Sequence, residues 1–154
     1  MSAITGIIHF NDEPVSVEHG TGLMNALQKY PADDSQVWHK ENVFLGCHAQ
    51  WITPESIGEQ QPYYDYDRNL TITADAIIDN REELFERLQV KQAYRKSMPD
   101  SQLILLAYEK WGEESPKYLI GDFAFMIWDE RKRLLFGARD FSGNRTLYYF
   151  NNQK

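Results

Sequence analysis

The longest coherent pattern in this chain is an apolar run, residues 122–129, in which aromatic and branched side chains follow one another with no turn former between them. Such a run predicts a strand covered on both faces. Asp129-Glu-Arg-Lys-Arg133 is a charged reversal, and residues 134–138 return as a second apolar strand, so the two form a hairpin at the centre of a sheet. Arg139-Asp140 is read as a buried charge pair closing that strand. Ser142-Gly-Asn144 turns the chain again, and residues 146–150 are expected to open a third strand whose edge is free for pairing.

Upstream, the periods change. Residues 3–10 are a β-rich run, and Asn11-Asp-Glu-Pro14 is a turn. Over residues 20–30, Leu23, Met24, Leu27 and Tyr30 recur at helical spacing, with Thr21 as N-cap and Pro31 as the stop. Residues 36–39 with 43–51, and 63–66 with 70–78, form two further hairpins separated by a Pro- and Gly-bearing loop, residues 53–62. Asp79-Asn80 caps a helix through Leu84 and Leu88, and a second helix spans residues 101–111 with Asp100 near its N-cap. Residues 116–119 are a connecting turn. Strand, helix, strands, two helices, strands is neither a βαβ alternation nor an all-β succession. An α+β fold of two sheets with helices outside them follows.

Composition narrows the partners. A chain of 154 residues, 42% hydrophobic and 14% aromatic, is one folded domain with room for a core. The net charge of -7 excludes nucleic acid and an anionic membrane as partners, because both repel it. Cys47 has no second cysteine to pair with, no long apolar run appears, and the cytoplasm is the expected location. His9, His19, His39 and His48 are scattered and make no zinc cluster with Cys47, so no metal is expected.

The stretch "GDFAFMIWDERKRLLFGARDFSGNRTLYY", residues 121–149, resembles the strand pair near the end of the class II glutamine amidotransferase domain of asparagine synthetases, N-G-x-F-A-F-x-I-W-D…L-x-x-A-R-D-x-x-G-x-x-P-L-Y-Y. Residues 99–112, "PDSQLILLAYEKWG", are similar to that family's S-D-T-E-x-L-L-x-A-Y-x-x-W-G helix. With the amino terminus, the resemblance covers essentially the whole chain. It implies the four-layer αββα sandwich of amino-terminal-nucleophile hydrolases, truncated at its carboxy-terminal strands. It also implies a missing ATP-pyrophosphatase domain, since no S-G-G-x-D-S loop is present and ATP and magnesium belong to that other domain.

The implied chemistry is a terminal thiol whose own amine, titrating near 7.7 to 8.0, acts as base and releases ammonia from glutamine. Where the family reads M-C-G-I-x-G-I, this chain reads Met1-Ser-Ala-Ile-Thr-Gly-Ile7, which leaves Ser2 as a degenerate nucleophile. The oxyanion pair Asn-Gly of N-G-E-I-x-N-x-x-E-L aligns with Asp75-Ala76, and a carboxylate repels a developing oxyanion. Leu45-Gly-Cys-His-Ala-Gln50 stands for L-G-H-R-R-L, so the carboxylate-binding arginine is gone and His48 is what remains on that strand. Asp100 matches the aspartate that binds the substrate amine. These residues are expected to be vestigial. Bland readings stay open beside them: Asp75 as a structural acceptor satisfied by Arg81 or Asn80, Asp100 as a helix cap, Cys47 and His48 as core and edge residues, and Tyr108, Trp111 and Trp128 as core aromatics.

Trp51-Ile-Thr-Pro-Glu-Ser56, Gln61-Pro62 and Ala74-Asp-Ala-Ile-Ile-Asp-Asn-Arg81 resemble segments of the cysteine-less lasso-peptide macrolactam synthetases. In those, a partner synthetase domain adenylates a carboxylate and a peptide amine attacks it, so ammonia is not needed. The resemblance implies a catalytically degenerate domain that stabilises or docks a synthetase domain or protein, with a peptide as substrate and a homodimer through the open sheet edge as a further possibility. Two alternatives remain: an active glutaminase using Ser2, and a non-catalytic module binding a small amino acid at Asp100.

Overall fold

The computed structural model describes residues 1–152. Its strands are β1 (Ala3–Ile8), β2 (Asp34–Lys40), β3 (Val43–Ala49), β4 (Tyr63–Asp65), β5 (Leu70–Ile78), β6 (Gly121–Asp129) and β7 (Leu134–Arg139). Its helices are α1 (Val17–Leu27), α2 (Arg81–Arg87), α3 (Gln92–Arg95) and α4 (Asp100–Trp111). The strands make two antiparallel sheets, in the orders β1-β3-β2 and β4-β5-β6-β7. This is an α+β fold.

Alternation along the strands assigns every layer. On β6, Phe123, Phe125 and Ile127 join Leu70, Ile72 and Ala74 of β5 and Leu84, Leu103, Ile104 and Ala107 of α2 and α4 in the large core. The intervening positions, Met126 and Trp128, meet Val43, Leu45 and Ile8 of the other sheet. Side chains on successive strand residues point to opposite faces, so one strand serves both cores. The same rule on β3 sends Val43 and Leu45 toward β6, while Phe44 packs on Gly20 of α1 and Gly46 lies against Met24. Between the sheets, Thr73 donates from Oγ1 to the Gly46 carbonyl at 3.0 Å. Gly6 admits Leu45 and Met126 to 3.0 and 3.1 Å of where its Cβ would stand. Small residues here let the sheets approach closely.

Several expectations shift. Helix α1 begins at Val17 with Ser16 as N-cap, whose hydroxyl accepts from His19 N, because serine caps better than the Thr21 expected in that role. Asn80 precedes α2 without a side-chain cap bond; its amide instead accepts from Ile120 N at 2.9 Å and donates to Tyr118 O at 2.9 Å, tying the helix start to the entry of β6. Asp100 is the first residue of α4, with Pro99 at the cap. The turn expected at residues 116–119 belongs to a longer 3-10 segment, Gly112–Tyr118.

The greatest departures follow β7. That strand is a sheet edge, so the hairpin is not wholly central: β5 and β6 occupy the middle. Residues 146–150 form no strand, and Tyr148, Tyr149 and Phe150 are exposed; extended chain with no neighbour to pair gains no ladder. The edges of this sheet are β4 and β7. Arg139 and Asp140 are not an ion pair. Arg139 is exposed, whereas buried Asp140 accepts from the backbone amides of Phe123, Asn144 and Arg145 at 3.2, 2.9 and 3.0 Å. Desolvation raises its pKa, but these donors outweigh it and hold the carboxyl below its ordinary 3.8.

Gly121 opens β6 at φ 143°, and a Cβ there would run into the Ile77 carbonyl. Gly121→Ala is expected to destabilise the domain by about 2–4 kcal/mol through backbone strain and overpacking. Urea denaturation at neutral pH checks it.

Candidate functional site

Strand alternation brings two of the sequence candidates together. Thr71, Thr73 and Asp75 occupy the face of β5 opposite Leu70, Ile72 and Ala74, which turns Asp75 toward the other sheet. Ser2, just before β1, meets it there: Ser2 N donates to Asp75 Oδ1 at 3.0 Å. The Ser2 hydroxyl accepts from Gln50 N at 3.0 Å and lies 3.5 Å from Gln50 O, so the backbone after β3 holds it. Met1 N contacts Gln50 Oε1. With Met1 attached, Ser2 N is a peptide amide and no base.

Asp75 is otherwise partnered than by Arg81 or Asn80. Arg145, delivered by the turn after β7, puts Nε 3.1 Å from Asp75 Oδ2, with the two side chains 12% and 11% exposed. The Nε–H is not aimed along a hydrogen bond, so the contact is one of charge with charge. Burial pushes the Asp75 carboxyl up; Arg145 and the Ser2 amide favour the ionised form but only partly offset it, and the net is above the ordinary 3.8.

The space beside Ser2 is about 30 Å³, lined in part by Gln50, Ser56, Glu59, Gln61, Asp75 and Ala76. That is room for roughly one water, against about 300 Å³ or more in small-molecule pockets. Ala76 thus joins Ser2 and Asp75. Asp100 and His48 do not line this space. Asp100 accepts from Ile78 N at 3.1 Å and is paired with Arg81, which also donates to Met98 O at 2.6 Å and lies 3.6 Å from Glu55. Its carboxyl is raised by burial against those two partners. Each oxygen of this buried carboxylate already has a donor from the protein itself. His48 Nε2 is 2.9 Å from Tyr30 O, and its Nδ1 is buried without a partner. Cys47 is fully buried, and burial raises its thiol to about 12, which makes it inert.

Three residues at or near this space escaped the sequence reading. Glu59 receives a hydrogen bond from Ser101 Oγ, and Gln61 Oε1 accepts from Ala74 N at 2.7 Å. Both sit in a loop whose Pro and Gly content advertises only irregular backbone. Arg145 belongs to the stretch expected to enter a strand, and nothing in its spacing points at Asp75. Among the described residues no three metal-ligating side chains converge, and no helix is long and apolar enough to cross a membrane.

The family model described as "Glutamine amidotransferase domain" matches residues 1–154. The chain belongs to the glutamine amidotransferase domain family. Among its relatives, asparagine synthetase [glutamine-hydrolyzing] 3 of Bacillus subtilis is 32% identical over 153 residues, covering 97% of this chain and 25% of that protein. Putative asparagine synthetase [glutamine-hydrolyzing] 2 of Methanocaldococcus jannaschii is 28% identical over 166 residues, covering 97% and 32% respectively. Amidase chyE of Penicillium rubens is 28% identical over 105 residues, covering 68% and 16%. The chain therefore spans a quarter to a third of the length of the two synthetases, and it is a glutamine amidotransferase domain of the asparagine synthetase family.

In this amidotransferase domain Glu59 supplies a pH handle. Burial raises its carboxyl above the ordinary 4.5, against hydrogen bonds from Ser101 and Gln61 that favour the ionised form. Between 4.5 and that raised value the folded state binds more proton than the unfolded one, so this group's contribution to stability falls as pH rises through the window. Glu59→Gln keeps an acceptor for Ser101 and removes the titration. Urea midpoints measured from pH 4 to 7 are expected to decline less with rising pH in Glu59→Gln than in the parent.

Proposed function

We propose that this domain keeps the glutamine amidotransferase fold, in the αββα sandwich form of amino-terminal-nucleophile hydrolases, without glutaminase chemistry. On this reading it serves an ATP-dependent amide-forming enzyme as a stabilising or docking domain. One observation supports the reading: the Asp75 carboxylate is buried and ion-paired with Arg145, at the position that the sequence resemblance aligns with an oxyanion-hole donor. Loss of one such donor costs about 3–4 kcal/mol of transition-state stabilisation, and a negative charge in its place adds repulsion.

The remaining geometry agrees. Hydrolysis of the glutamine amide needs a nucleophile free to attack, a base to take its proton, and space for the side-chain amide. The Ser2 hydroxyl is engaged by Gln50 N, and the space beside it holds about 30 Å³. The partner would be an ATP- and magnesium-dependent synthetase domain whose substrate brings its own amine. Lasso-peptide macrolactam formation is the chemistry that fits, because a peptide amine attacking an adenylated carboxylate makes ammonia superfluous.

The test is ammonia release from glutamine by the purified chain, its amino terminus established by mass, beside Ser2→Ala and Ser2→Cys. No release is expected from any of the three, Ser2→Cys with its methionine removed included. Release by the parent that disappears in Ser2→Ala would overturn the proposal and make Ser2 a working nucleophile.

A further inference from the structure

The Asp75–Arg145 contact joins parts of the chain far apart in sequence, and its two ends are separately anchored. At one end Asp140, buried under β6 and β7, gathers the amides of Phe123, Asn144 and Arg145, and Asn144 Nδ2 donates to Asp122 Oδ1 at 2.7 Å. That turn fixes where Arg145 leaves the backbone. At the other end one oxygen of Asp75 receives Ser2 N and the other faces the guanidinium. Nothing else among the described residues hydrogen-bonds the Asp75 carboxylate or ion-pairs with Arg145. Beyond Arg145 the chain has no ladder to hold it: residues 146–150 form no strand, and Leu147 rests on Gly137 of β7 while Tyr148, Tyr149 and Phe150 face outward.

We propose that Asp75 and Arg145 form an electrostatic clasp that couples the amino-terminal strand to the segment after β7, so that the seating of residues 145–150 and the hold on Ser2 rise and fall together. The carboxylate is one rigid group with one oxygen on Ser2 N and the other on the guanidinium, so both contacts set its orientation and the loss of either frees it to turn away from the other. The clasp is thus a conformational device at the Ser2–Asp75 contact: it determines whether the exposed aromatic run is displayed in one position or many. It is independent of the amide-forming role proposed above, and so is its test.

Hydrogen exchange by mass spectrometry on the parent, Asp75→Asn, Arg145→Met, Arg145→Lys and the Asp75→Asn/Arg145→Met pair reads it directly. Asn keeps an acceptor for Ser2 N and replaces the oxygen that faces Arg145 by an uncharged NH2. The hydrogen-bonded amides of Asn144 and Arg145 are expected to exchange about tenfold faster in Asp75→Asn and in Arg145→Met, with Arg145→Lys nearer the parent. Arg145→Met is also expected to speed exchange in the amino-terminal peptide, far away in sequence. The double variant should resemble either single one. Parent-like protection of the Asn144 and Arg145 amides in Asp75→Asn, an unmoved amino-terminal peptide in Arg145→Met, or additive effects in the double variant would each overturn the clasp. Should Asp75→Asn not fold, the contrast of Arg145→Met with Arg145→Lys in both peptides decides.

Discussion

The structure depends on covering both faces of the β5–β6 ladder, which pairs the strands residue for residue from Leu70 with Asp129 to Ile78 with Gly121. An antiparallel pair with both faces dry must satisfy every backbone group by pairing and fill two different cores with alternate side chains. Here the faces have different characters. The helix side takes Phe123, Phe125 and Ile127 against α4, and the sheet side takes Met126 and Trp128 but also Thr71, Thr73 and Asp75. The polar strip on β5 is therefore a consequence of register. Residues that oppose another sheet of small, glycine-bearing strands cannot all be large, and a hydroxyl can bond across.

This register explains why Asp75 stands where it does and why its charge is tolerated. A lone buried carboxylate would be costly, several kcal/mol after relaxation. Ser2 N and Arg145 together lessen that cost without cancelling it, and the net upward shift of the carboxyl expresses the difference. Asp100 is a parallel case at the start of α4, held by the Ile78 amide and Arg81. In both, a carboxylate that could have met a substrate meets the protein's own cation.

What the sequence made legible was whatever depends on local period. The apolar run at 122–129, the hairpins and helix α4 follow from alternation, helical spacing and turn residues, and they stand nearly where expected. The edges were less legible, since Ser16 rather than Thr21 caps α1 and Asn80 spends its side chain on Tyr118 and Ile120. Residues 146–150 have strand composition but no neighbouring strand among the described residues, and composition alone cannot supply one. At the candidate site, the proximity of Ser2, Asp75 and Ala76 was legible because motif position fixes strand position. Arg145 and Glu59 were missed because their meeting with the others depends on how two sheets and a loop fold in space.

The narrow gap between the sheets has a consequence for how such a site can change. Gly6, Gly46 and Thr73 hold the two layers at one spacing, with the Thr73 hydroxyl bridging to the Gly46 carbonyl. That spacing acts as a ruler, because the Ser2 to Asp75 contact spans the same gap two residues further along β5. Descendants of this chain can exchange the residues on either side of the site while the ruler stands. A methyl group added at Gly6 would press on the Met126 side chain of the facing sheet at 3.1 Å, at the place where the two layers meet.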